Sequence, residues 1–263
     1  MPSCPRGAST SDPARHAVPG GAGGRDGADL RASADAGIDL PVSERPCVIF
    51  DFDGTLADTT ASVIACARVA LSEYGMSEEE MGDLRRLIGP PFPAGYTMVY
   101  GMPPEDAERV CARYREIYGS LGRQGHPLYP GMGELLHELR ARGRRLAIAS
   151  SKLRRMVEPM LEDDGVLDLF DYVSAQDDPD HADKAYLVGR ALRGLGARPG
   201  DAVMVGDRDY DVLGAAQVGV PTVAVLFGTA PEEELRRAGA LAVARSAQEL
   251  RAALIGPGAP RRA

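Results

Sequence analysis

Apolar positions along the chain recur with two different periods. Val48, Ile49 and Phe50 form a continuous run of strand formers that Gly54 soon interrupts, the pattern of a short strand buried on both faces. RLAIAS (145–150), YVSA (172–175), AVMVG (202–206), PTVAVLFG (221–228) and LAVARS (241–246) repeat it. Between these runs the period lengthens. Val63, Ile64, Ala67, Ala70 and Leu71 fall on one helical face, with Thr59 or Thr60 as the cap. Ser77 with Glu80 is a capping box, Pro103 and Pro104 begin a further helix, and Leu135, Leu136 and Leu139 form a stripe that Gly143 ends. Ser151 and Lys152 are expected to open the helix after RLAIAS, and Lys184 the helix after YVSA. EELRRAGA (233–240) and AQELRAAL (247–254) supply covering helices. Strands alternating with helices predict an α/β, doubly wound (Rossmann-like) parallel sheet. From Glu73 to Tyr129 the pattern stays helical, so the core is read as residues 46–66 and 130–256, with a helical insert at 67–129. Residues 1–45 are rich in Gly, Ala, Pro and Asp without an apolar period. They are read as a disordered tail, either a genuine extension or an over-long gene start, and 257–263 as a second tail.

The chemistry collects where the strands end. In an open parallel sheet the ligand crevice lies beyond the C-terminal ends of the strands, and alternation along the extended chain sends Asp51 and Asp53 to the same side. Two adjacent carboxylates repel unless a proton or cation relieves them, which makes Mg²⁺, a hard oxygen-seeking ion, the expected third member. Asp207 and Asp211, four residues apart, share the first turn of a helix starting near Arg208. Ser150 closes a strand at a helix N-terminus, where backbone N–H groups favour an anion. The chain has 30 Lys and Arg, of which only Lys152 and Lys184 are lysine, so a compact ammonium is wanted at those two places.

Composition narrows the partners. At 263 residues and 44% apolar content the chain can bury a core, and its net charge of −8 argues against nucleic acid or an anionic membrane as partner. No apolar run approaches membrane-spanning length. Cys4, Cys47, Cys66 and Cys111 lack metal or redox spacing and read as ordinary small residues, and without a secretory signal pattern the expected location is cytoplasmic. Asp177, Asp178, Asp180, Asp183 and Asp209 are read as solvated, His181 as a loop residue, and His16, His126 and His137 as solvent-facing. Arg109, Arg113 and Arg115 are read as a solvated helical face, with substrate contact left open.

DFDGTLADT (51–59), the hydroxyl at Ser150, Lys184 after an acidic loop, and GDRDYD (206–211) resemble, in order, the four motifs of the haloacid dehalogenase superfamily of phosphatases. The helical insert resembles that family's helical-cap branch. LIGPPF (87–92) looks like a turn of its phosphoglycolate phosphatase-like and 5′-nucleotidase-like members. The resemblance implies Mg²⁺-dependent hydrolysis of a small phosphorylated metabolite, phosphoglycolate or a 5′-nucleotide first, through an aspartyl-phosphate. Asp51 would be the nucleophile and Asp53 the proton donor and acceptor. Asp51, Asp53, Asp207 and Asp211 would hold the metal, while Gly54, Thr55, Ser150, Ser151 and Lys184 would surround the phosphoryl group. A halide-removing relative lacks the second aspartate, and a phosphonate-cleaving one needs a lysine in the cap, which has none. A phosphomutase and a phospho-accepting domain stay open, as does the oligomeric state. Lys184→Arg is expected to cost more activity than Lys152→Arg, since Lys152 is placed at a helix start near the surface.

Overall fold

A computed structural model describes residues 40–177 and 183–256. The chain enters the sheet at β1 (Cys47–Phe50), then runs through α1 (Thr60–Tyr74), α2 (Glu78–Met81), α3 (Ala94–Tyr100) and α4 (Pro104–Gly119). It returns through α5 (Met132–Ala141) to β2 (Arg145–Leu153), α6 (Arg154–Asp163) and β3 (Tyr172–Gln176). α7 (Lys184–Leu195), β4 (Ala202–Gly206), α8 (Asp209–Gln217), β5 (Thr222–Val225), α9 (Glu232–Arg237), β6 (Ala242–Ala244) and α10 (Ala247–Ile255) complete it. The six strands form one sheet in the order β3-β2-β1-β4-β5-β6, every pairing parallel. Phe50 lies beside Ile148 on one side and Val205 on the other. The order reverses at β1, so its C-terminal end opens into the crevice where such sheets bind ligands.

Alternation along β1 divides the core. Val48 and Phe50 join an apolar cluster with residues of α1, α4, α5, α6 and α10. Cys47 and Ile49 face the opposite way, onto Leu187, Val188 and Ala191 of α7. All four β1 side chains are fully buried, which accounts for the uninterrupted apolar run in the sequence. Tyr96, Val110, Tyr114 and Tyr118 of the helical segment share the first cluster with Phe52 and Leu56, so these helices pack directly over the end of β1.

Local signals mostly operate as read. Ser77 and Glu80 make both bonds of the capping box, Pro104 stands in the first turn of α4, and Gly143 adopts a φ of +76° just after α5. Among the described residues no strand interrupts 73–129. The expected boundary at 66/67 falls inside α1.

Four expectations need correction. Thr59 precedes α1 but its hydroxyl caps nothing, because its backbone is already near-helical at φ −98°, ψ −6° and not extended as a side-chain cap requires. Ser151 and Lys152 do not open a helix. β2 continues to Leu153 through a register shift against β3 between Ser150 and Leu153, which carries both residues along the mouth of the crevice. His126 is buried, 2% exposed, with Nδ1 3.4 Å from Asp164 Oδ2. His137 is exposed as expected, and Cys47, Cys66 and Cys111 are buried free thiols. The expected disordered tail reaches too far: Val42–Glu44 form a short 3-10 turn and Arg45 is buried, donating to the carbonyls of Gly200 and Ala202. Residues 1–39 and 257–263, with Cys4, His16, Asp178, Asp180 and His181, lie outside the described residues.

Candidate active site

Three strand ends and one helix start converge on one pocket. β1 delivers Asp51 and Asp53, and β2 delivers Ser150, Ser151 and Lys152. β3 delivers Gln176, and Lys184 enters from the first turn of α7. The roof is made by Leu87, Ile88, Gly89, Pro90 and Phe92, with Tyr114 and Arg115 of α4. The LIGPPF turn therefore closes the pocket over the carboxylates.

Lys184 is the electrostatic centre. Its Nζ lies 3.0 Å from Asp51 Oδ1 and 2.7 Å from Asp211 Oδ1, and it donates to the carbonyl of Ala149 at 2.9 Å. Burial acts to lower this ammonium's pKa, but the ion pairs with Asp211 and Asp51 outweigh it and hold it above the usual lysine range. Its stem presses on Gly214 of α8, where a Cβ would stand 2.5 Å from the Lys184 Cβ.

Asp51, Asp207 and Asp211 can offer carboxylate oxygens within 4.8 Å of one another, all three buried. Asp211 also accepts from the backbone N–H of Arg208 at 3.0 Å, which ties it to the start of α8. Asp207 accepts from the Thr229 amide at 2.8 Å and hydroxyl at 2.7 Å, and from the Thr55 hydroxyl at 3.4 Å. Gly54, at φ +75°, packs so tightly on Asp207 that a Cβ would lie 2.5 Å from its Oδ2. Gly54 and Thr55 thus support Asp207 and are not among the residues lining the pocket.

One ammonium facing three buried carboxylates leaves negative charge uncompensated. Burial, then the charges of Asp211, Asp207 and Asp53, push Asp51 up to about 8 against the pull of Lys184. Burial and Asp211 push Asp207 up to about 6. An all-oxygen, net-negative cradle of this kind fits a hard divalent cation such as Mg²⁺. Both shifts are upward from 3.8, so without metal the native state holds more protons than the unfolded chain at mildly acid to neutral pH. The stability these protons supply is complete below about pH 4 and is lost as pH rises through about 6 and 8. The melting temperature of metal-free protein is therefore expected to fall between pH 5 and pH 8.5, and added Mg²⁺ to raise it more at the upper end. Differential scanning fluorimetry at fixed ionic strength measures this, and a metal effect equal at both ends would contradict the charge assignment.

Asp53 stands apart from that cluster. Its Oδ1 is 2.8 Å from Lys152 Nζ, which also lies 4.6 Å from the centre of the Tyr118 ring on α4. The side chain of Lys152 is 8% exposed, against 6% for Lys184, so both lysines of this arginine-rich chain are buried cations on crevice carboxylates. Ser150 is 1% exposed, and its Oγ accepts from the Lys152 backbone N–H at 3.3 Å. Gln176 and Thr229 join the site without any prior sequence signal. Asp177, read as solvated, is paired with Arg154 and Arg190, both at 2.8 Å. Asp183 caps α7 by accepting from Tyr186 N–H. Of the three cap arginines, Arg109 pairs with Asp106, and Arg113 with Glu73 and Glu116. Arg115 alone of these reaches the pocket.

A six-stranded parallel sheet with this strand order, an aspartate pair at the end of its central strand and a buried lysine between the first of that pair and Asp211 defines a class. Residues 48–225 match the model of the haloacid dehalogenase-like hydrolases, and the chain belongs to that family. Among individual proteins it is similar to the tyrosine-protein kinase PtkA of Mycobacterium tuberculosis, 36% identical over 79% of this chain and 72% of the relative. It is also similar to the probable phosphatase IndB of Dickeya dadantii, 33% identical over 74% of this chain and 86% of the relative. A crystal structure of a predicted phosphatase from Clostridium acetobutylicum superimposes with a TM-score of 0.75 at 30% identity, covering 80% of this chain and 97% of the other.

Proposed function

We propose that the protein is a Mg²⁺-dependent phosphatase acting on a small phosphomonoester through a phosphorylated Asp51. The observation that carries this reading is the Lys184 ammonium held between Asp51 and Asp211 beside Ser150, in a pocket that also contains Asp53. An Asp51 oxygen attacks phosphorus and the ester oxygen leaves, taking a proton from Asp53. Water then attacks the phosphorus of the acyl phosphate, Asp53 accepts its proton, and inorganic phosphate leaves as the Asp51 carboxylate is restored. In this reading the Lys184 ammonium and the Ser150 hydroxyl stabilise charge on the phosphoryl oxygens. Asp51, Asp207 and Asp211 would hold the metal, with Asp53 adjoining. The bound ion supplies positive charge that offsets repulsion between the phosphoryl group and these carboxylates. Phosphoglycolate and 5′-nucleotides are the first substrates to test.

Similarity to a relative named as a tyrosine kinase favours one second reading, transfer of the phosphoryl group to a protein hydroxyl instead of water. Both readings share a phosphoryl-binding site and differ in the acceptor. Phosphate release is to be measured over a panel of phosphorylated metabolites with Mg²⁺, beside label transfer from ATP to tyrosine peptides. Hydrolysis of at least one metabolite, lost on chelation and restored by Mg²⁺, is the expected outcome. Full activity after exhaustive chelation would remove the metal, and transfer without hydrolysis would favour the kinase reading.

A further inference from the structure

The catalytic pocket is small, about 70 Å³, and its floor is taken up by the groups that address a phosphoryl moiety. The remainder of an ester has to extend beyond it. Arg115 and Met156 belong to its wall and also to the wall of a second cavity of about 290 Å³ between α4 and α6. That cavity is lined further by Tyr118, His126, Arg155 and Asp163.

Two guanidinium groups, those of Arg115 and Arg155, border it. Guanidinium groups elsewhere are commonly tied to carboxylates, as Arg113 is to Glu73, Arg154 to Glu158, Arg190 to Asp177 and Arg251 to Glu138. Among the described residues, neither Arg115 nor Arg155 has a carboxylate within ion-pair distance. The hydrogen bond of Arg115 is a long one, 3.4 Å to the carbonyl of Phe92. Asp163 is the carboxylate among the lining residues, and it lies beside His126, with Oδ2 3.9 Å from Nε2. Two guanidinium groups without anions, in a chain of net charge −8, thus border a cavity that continues from the phosphoryl site. Guanidinium forks recognise carboxylate and phosphate oxygens in the same bidentate way.

We propose that this second cavity binds an anionic group on the leaving portion of the substrate. The preferred class is then a phosphomonoester whose alcohol carries a carboxylate or another phosphate. Arg115, on both walls, is the nearer contact and Arg155 the farther one. The inference rests on the phosphatase reading of the adjoining pocket.

Matched substrates test it. kcat/KM is compared for phosphoglycolate against ethyl phosphate, a carboxylate arm, and for fructose 1,6-bisphosphate against fructose 6-phosphate, a phosphate arm. The anionic member of at least one pair is expected to be favoured by about tenfold or more. That ratio is expected to contract toward one in both Arg115→Met and Arg155→Met. A ratio taken within one preparation does not depend on the fraction folded. No preference for the anionic member in either pair, or ratios unchanged in both variants, would overturn the proposal. Calorimetric binding of the same pairs to Asp51→Asn protein reads the cavity without turnover. If no substrate is hydrolysed but the anionic member binds better and loses that advantage with Arg115→Met, the cavity assignment stands and the hydrolytic one falls. Equal binding of both members would overturn the cavity assignment.

Discussion

Asp51→Asn is expected to lower kcat for the best metabolite by roughly three or more powers of ten while leaving the fold intact. The amide keeps the size and planarity of the carboxylate but has no anionic oxygen with which to attack phosphorus. Loss of activity through misfolding is distinguishable in advance. Asp51 is a buried carboxylate raised to about 8 by burial and by its acidic neighbours, so its ionised form opposes folding at neutral pH and its removal relieves repulsion. The variant is therefore expected to melt no lower than wild type in metal-free buffer at pH 8, even as phosphate release disappears. Single-turnover phosphate release and a melting curve on one preparation check both halves. More than about a tenth of wild-type kcat in pure protein would remove Asp51 as nucleophile.

Lys184→Arg is expected to lower kcat/KM by about two powers of ten or more, although charge is conserved. A single nitrogen serves Asp51 at 3.0 Å, Asp211 at 2.7 Å and the Ala149 carbonyl at 2.9 Å. A planar guanidinium presents its N–H groups in one fixed fork and cannot point three of them from one centre. The stem has no spare room either, since Gly214 is already against it. Lys152→Arg is expected to be costly too, because Lys152 is not at the surface helix start the sequence implied. Its ammonium is as enclosed as that of Lys184 and sits between Asp53 and the Tyr118 ring. Parallel kcat/KM values for the two purified variants decide the matter, and near-wild-type activity in both would show the lysines to be incidental.

The strands, their order of chemistry and the site aspartates were legible because they depend on local pattern. An apolar run ending in a carboxylate at a glycine turn announces a buried parallel strand and its crevice end, as CVIFDFDG does. Lys184 stood out because a chain so rich in arginine kept a lysine there. Less legible was whatever depends on packing between distant segments. Nothing in the sequence near Thr229 says that its hydroxyl and amide will hold Asp207 from 22 residues away. The extension of β2 past Ser150 is set by its irregular pairing with β3, which a window on SSK does not contain. Arg109, Arg113 and Arg115 look alike in sequence, and only the rotation of α4 over the sheet turns one of them inward.

The roof is fastened to groups adjoining the carboxylates of the crevice. Arg208, next to Asp207, donates through Nη1 to the Ile88 carbonyl at 2.6 Å, and Lys152, on Asp53, lies against Tyr118. A substrate or product too large for the gap between them can pass only if the roof lifts, and lifting breaks the first contact and uncovers the second. Exchange with solvent is then mechanically linked to the surroundings of Asp53: whenever Tyr118 withdraws, the cation beside that carboxylate is rehydrated and its hold on the carboxylate weakens. Under the proposed mechanism, the same contact would then bear on both closure of the roof and proton transfer at Asp53.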